Sequence, residues 1–169
     1  MPIDGGSRSF VTLILLMVFS VVFVIYTTAH LPEVLATHFG ADGRADGWMT
    51  RGSYLLLMIS VLIGVPALVS FCVGSLPRKF PHLTNIPNRE YWLAPQRLDG
   101  SLHFLRSHSQ RLGRLIVMLM TGMHYAIVVA NRAQPPALPG SLMMALLVGF
   151  LFALVLWVVA LYRRFRKAL

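Results

Sequence analysis

Four long apolar stretches constrain this chain more than any other feature. Phe10–Ala29, Tyr54–Gly74, Leu115–Ala130 and Leu142–Tyr162 each approach the length that crosses a bilayer. A helix rises 1.5 Å per residue, so about 20 apolar residues cover roughly 30 Å of hydrocarbon. At that depth a single run must satisfy every backbone N–H and C=O within itself, which a helix does. The pattern predicts an all-α integral membrane fold: a four-transmembrane-helix bundle with a short extracytoplasmic hairpin and a cytoplasmic amphipathic helix. The spans fall at about 10–29, 54–74, 112–131 and 142–162 of one polytopic domain covering 1–169. Composition agrees, with 56% hydrophobic and 12% charged residues. A soluble domain carries about twice that charged fraction.

The net charge of +9 raises nucleic-acid binding, but the placement of the charge argues for topology instead. Arg8 precedes the first span, and Arg44 and Arg51 follow it. Seven basic residues lie in the segment 75–114, Arg132 alone in the third connection, and Arg163, Arg164, Arg166 and Lys167 in the tail. With both termini and the 75–114 segment inside, twelve of the fifteen basic residues are cytoplasmic. Cytoplasmic loops retain Lys and Arg, so this orientation is expected in a bacterial inner (cytoplasmic) membrane. The surplus then attracts anionic lipids at the cytoplasmic face, by about 1 kcal/mol per residue. No recognition motif for nucleic acid accompanies it.

A cleaved signal peptide is the rival reading of the first span, with Thr27-Thr28-Ala29 as a small-residue cleavage site. The apolar run exceeds the usual signal core of about 7–15 residues, so the span is expected to be retained. Cys72 is the lone cysteine, which rules out an intramolecular disulfide, and is read as a small buried apolar side chain. Ser60-x-x-x-Gly64 and Gly149-x-x-x-Ala153 sit on stripes of small residues that let helices approach closely, within one chain or between two. Pro66 removes one hydrogen bond from the second span and is expected to kink it.

The third span carries Thr121, His124 and Asn131 on one face. His124 is the one ionisable side chain well inside a span, and such a group is a candidate for function by default. The competing reading is a neutral histidine hydrogen-bonded to a hydroxyl of another span.

The outer segment His30–Gly52 is the most distinctive. Leu31-Pro32 ends the first helix, because proline cannot continue the ladder. Asp42-Gly43 suits a tight turn, with His38-Phe39 before it and Ala45–Trp48 after it. Trp48 suits the membrane interface. His30, Glu33, His38, Asp42 and Asp46 offer metal-ligand atoms, but at neither zinc-helix nor calcium-loop spacing, so no metal and no other cofactor is expected.

At these residues the chain resembles a bacterial integral-membrane domain of unknown function (number sixteen forty-eight). Leu31-Pro32, His38-Phe39, Gly43 and Asp46-Gly47-Trp48 look like its L-P-x-x-[IV]-x-x-H-F-x-x-x-G-x-x-D-x-W signature, here at 31–48. Some members are SdpI-like proteins, which protect a cell against a secreted toxin and relay its presence to a transcription regulator. The resemblance implies an immunity or signalling role. Asn88, Tyr91, Trp92 and Pro95 in N-R-E-Y-W-L-A-P look like a second motif of some relatives.

That motif lies in a proline-punctuated stretch where regular helix is not expected. Tyr91 and Trp92 are expected to dip into the inner interface. From Leu98 to Arg114, Leu98, Leu102, Leu105 and Leu112 share one face, with Arg106, Arg111 and Arg114 on the others. This pattern predicts a basic amphipathic helix on the inner leaflet, or packed against the chain's own spans.

There is no nucleophile elbow, P-loop or dinucleotide fingerprint, so the chain is not expected to be an enzyme. His82, Asn88, Glu90, His103 and His108 could do acid–base work only if the fold brought them together. The expected function is binding, sensing or immunity-type signalling, with an envelope peptide, lipid or protein met by the outer loop. The residues expected to carry binding are His38, Phe39, Asp42, Gly43, Asp46, Trp48, Asn88, Tyr91, Trp92 and His124. The alternative is a subunit of an oligomeric transporter or permeation path, with His124 and Thr121 lining it. A protein partner or homo-oligomer is compatible with either.

Overall fold

A computed structural model describes residues 5–166 of the chain; Lys167, counted above in the basic tail, lies outside the described residues. The element order is α1 (Gly5–Ala29), β1 (Val34–Phe39), β2 (Ala45–Thr50), α2 (Arg51–Gly74), α3 (Leu76–Lys79), α4 (Arg89–Trp92), α5 (Leu98–Arg132) and α6 (Gly140–Phe165). Four helices are long and apolar enough to cross a membrane: Ser7–Ala29, Arg51–Lys79, Leu98–Arg132 and Gly140–Phe165. Their outward faces carry exposed Phe19, Leu56, Phe152 and Leu156, the surface expected of helices solvated by acyl chains.

The long helix α5 is the hub, packed against α1, α2 and α6. Leu13, Val24, Leu62 and Val117 form the apolar centre where α1, α2 and α5 meet. Glycines of α5 make the close approaches. A Cβ on Gly113 would lie 3.3 Å from a methyl of Leu13, and one on Gly122 would lie 2.5 Å from a methyl of Leu146.

The glycines of the two small-residue motifs make no such close approach. A Cβ built on Gly64 or Gly149 meets nothing within 4 Å, so neither glycine marks a backbone contact within the chain. Further along α2 the approach is closer: a Cβ on Gly74 would lie 2.8 Å from the Ser109 hydroxyl oxygen. Cys72 also departs from its expected buried place: it is exposed.

A separate amphipathic surface helix is not present. Leu98–Arg114 is the first half of α5, continuous with the third span over 35 residues. That helix is about 52 Å long, well beyond the hydrocarbon thickness. Its apolar face is covered by the chain itself, with Leu102 and Leu105 buried and Leu105 clustered with Ile86 and Phe165. The partner of that face is α6 together with the proline-rich loop. Helical structure in that loop is limited to single turns at Leu76–Lys79, Pro81–Leu83 and Arg89–Trp92.

The fold sorts charge by end. Arg8, Arg78, Lys79, Arg89, Arg97, Arg106, Arg111, Arg114, Arg163, Arg164 and Arg166 lie toward one end, and Arg44, Arg51 and Arg132 toward the other, which carries the hairpin.

Candidate functional site

The hairpin β1–β2 is antiparallel, pairing Val34 with Thr50, Leu35 with Met49, Ala36 with Trp48, His38 with Gly47 and Phe39 with Ala45. The register shifts on either side of His38 leave Thr37 and Asp46 as extra residues on opposite strands. Such bulges re-aim side chains. Here they bring His38 Nδ1 to 2.5 Å from Asp46 Oδ1, with the two side chains 75% and 51% exposed. Gly47 is required opposite His38, since a Cβ there would lie 2.7 Å from the His38 Cβ. The turn closes through the Gly43 N–H to the Gly40 carbonyl at 2.9 Å, and Gly43 takes φ 78°. Asp42 supports it by accepting from the Arg44 N–H at 3.0 Å. His38, Gly43, Asp46 and Gly47 are thus the residues this hairpin geometry demands.

Three anchors hold the hairpin on the bundle. At its base, the Arg51 guanidinium donates to the Ala29 and Leu31 carbonyls and pairs with Glu33 at 2.8 Å. At mid-strand, the Asn131 amide accepts from the Ala36 N–H and donates to the Ala36 carbonyl, both at 2.8 Å. At the tip, the Leu138 N–H donates to the Gly43 carbonyl at 2.9 Å. Beneath lie Leu31, Leu35, Tyr54 and Val128. Phe39 is half-buried, whereas Val34 and Trp48 stand out, each 52% exposed. The exposed side chains of the hairpin therefore include apolar Val34 and Trp48 as well as the His38–Asp46 pair.

His124 sits elsewhere, fully buried between three helices. Its Nε2 lies 2.6 Å from Thr27 Oγ1 on α1, and its Nδ1 lies 2.8 Å from the Tyr54 hydroxyl on α2. The Thr27 hydroxyl donates to the Phe23 carbonyl at 2.7 Å, so toward His124 it accepts. That fixes the Nε2–H tautomer, with the Tyr54 hydroxyl donating to Nδ1. Thr121 lies 2.9 Å from the Ser20 hydroxyl and 2.7 Å from its own Val117 carbonyl.

Asn88, Tyr91 and Trp92 are at the basic end. The Asn88 amide and the Trp92 indole N–H both donate to the Phe165 carbonyl, at 3.2 and 2.8 Å. Helix C-termini leave carbonyls without intrahelical partners, so this pair caps α6 from a distant loop. Arg164 stacks on the Trp92 ring at 4.5 Å and Arg97 on Tyr91 at 4.0 Å. Nearby, His108 Nε2–H donates to the Trp157 carbonyl at 3.0 Å and the Trp157 indole returns a bond to the His108 carbonyl at 2.9 Å.

The ten candidate residues therefore form three groups rather than one site: the hairpin, the mid-bundle histidine and the α6 cap. The hairpin group lies inside the one segment that matches a family model. Residues 15–64 match the family described as a domain of unknown function, DUF1648. The DUF1648 match covers 50 of the 169 residues and runs from α1 through the hairpin to the middle of α2. No curated protein and no solved structure matches the chain.

Sequence reasoning missed Arg51, Tyr54 and His108 as bonding partners. Their signal was faint: each is a polar-tipped residue at the edge of an apolar run or on the polar-to-apolar boundary of α5. Among the described residues no group of three or more His, Cys, Asp or Glu is arranged to hold a metal ion. His30 bonds the Tyr26 carbonyl and Glu33 pairs with Arg51, so both are turned to other uses.

Proposed function

We propose that this protein is a multi-pass component of a bacterial inner membrane that binds or senses an envelope peptide, lipid or protein through its hairpin. Both termini and the basic end lie in the cytoplasm, and the hairpin lies outside. It acts by contact rather than by catalysis, as an immunity or signalling component would.

The observation that carries this reading is the exposed face of a hairpin held at base, mid-strand and tip. A preorganised surface loses little entropy on docking. Trp48 is the residue type that most often anchors an interface. The strand also reaches α5 directly through Asn131, so a displaced β1 would pull on the helix that touches every other span. The transport alternative draws less support, because both His124 nitrogens already have partners.

Photo-crosslinking in living cells tests the reading. With p-benzoylphenylalanine placed at Trp48 or Val34, a discrete adduct is expected, and the same probe at Val155 on α6 should give none. Adducts at all three positions, or at none, would contradict hairpin-directed binding.

A further inference from the structure

A cleft opens at the basic end, between the start of α1, the end of α2 and the first half of α5, with a volume of about 580 Å³. Arg106, Ser70, Ser75 and Gln110 line it, and Phe10 and Phe71 form apolar walls exposed to the surroundings. Two of the residues lining it hold a buried polar atom with no partner among the described residues: the Ser70 hydroxyl and Gln110 Oε1. Gln110 is only 4% exposed. Buried polar groups are ordinarily paired, so these two have hydrogen-bonding capacity left for a ligand seated in the cleft. Among the described residues Arg106 pairs with no carboxylate.

We infer that this cleft binds the headgroup of an anionic phospholipid of the phosphatidylglycerol class. Arg106 and the serine hydroxyls donate to the phosphodiester oxygens, a charge-assisted arrangement. A glycerol hydroxyl donates to Gln110 Oε1, and the acyl chains run along Phe10 and Phe71. The position suits this chemistry, because the cleft lies where the apolar faces of α1 and α2 give way to the basic end. The inference needs the four helices to cross a bilayer but is independent of what the hairpin binds.

Native mass spectrometry of the full chain from lipid nanodiscs tests it, using dioleoyl phosphatidylglycerol against dioleoyl phosphatidylcholine. One phosphatidylglycerol should be retained in preference. Arg106→Gln and Gln110→Met should each lower retention about tenfold, the effect of one charged or buried hydrogen bond. Arg106→Lys should restore part of it, which a misfolded variant would not. Arg163→Gln, which removes the same charge outside the cleft, should change retention less than about twofold. Equal loss in Arg106→Gln and Arg163→Gln would reduce the effect to diffuse charge and overturn the inference. Displacement of the lipid by millimolar inorganic phosphate would overturn it too, in favour of a soluble phosphate ester. Release of the chain from membranes by alkaline carbonate would separately show that the helices do not span.

Discussion

Asn131 grips Ala36 as a neighbouring strand would, accepting from its N–H and donating to its carbonyl at 2.8 Å each. One side chain at the end of α5 thus completes the exposed backbone edge of β1. Asn131→Leu leaves both Ala36 groups unpaired and buried, each at a cost of about 1–3 kcal/mol. Thermal unfolding in detergent should drop accordingly, with faster hydrogen exchange at the Ala36 amide. Unchanged exchange there would refute the strand-mimic role.

The His124 tautomer is directly observable. Nitrogen chemical shifts of a ring-labelled sample should show Nε2 protonated and Nδ1 accepting. Tyr54→Phe and His124→Leu should be coupled in a double-mutant cycle by about 1 kcal/mol, in the range of interhelical bonds in membranes. Independent effects of the two substitutions would show that the bond does not tie α2 to α5.

Two glycines should separate sharply. Gly122→Val must displace Leu146 and is expected to destabilise the α5–α6 contact by about 1–3 kcal/mol. Gly64→Val meets open space and should leave the stability of the isolated chain unchanged. Equal losses in the two variants would mean that Gly64 packs against another molecule.

Trp92→Phe keeps an aromatic ring, though a smaller one, and removes the indole N–H from the Phe165 carbonyl. A loss of about 1 kcal/mol is expected. The end of α6 should also become more sensitive to protease. Equal digestion of the wild-type and variant chains would rule out a capping role.

The four long apolar helices were legible because runs of about 20 apolar residues admit one solution in lipid. The hairpin was legible because Gly43 and the alternating residues beside it encode a turn and two strands. The partners were not. Nothing local in Leu98–Arg114 distinguishes a helix lying on lipid from one covered by Phe165 and Ile86, since both need the same apolar stripe. Nor could spacing show that Trp92 would meet Phe165, 73 residues further on. Small residues show the same limit: Gly64 and Gly113 look alike in sequence, and only the packing of α5 against Leu13 makes one of them necessary within the chain.

Sidedness tests the central claim most directly. In a Cys72→Ser background, Trp48→Cys and Arg97→Cys would be treated with a membrane-impermeant maleimide in intact cells with a permeabilised outer membrane. Labelling at Trp48→Cys at once, and at Arg97→Cys only after the inner membrane is opened, is the predicted result. Labelling of Arg97→Cys in intact cells, with Trp48→Cys protected, would contradict an outward hairpin and an inward basic end.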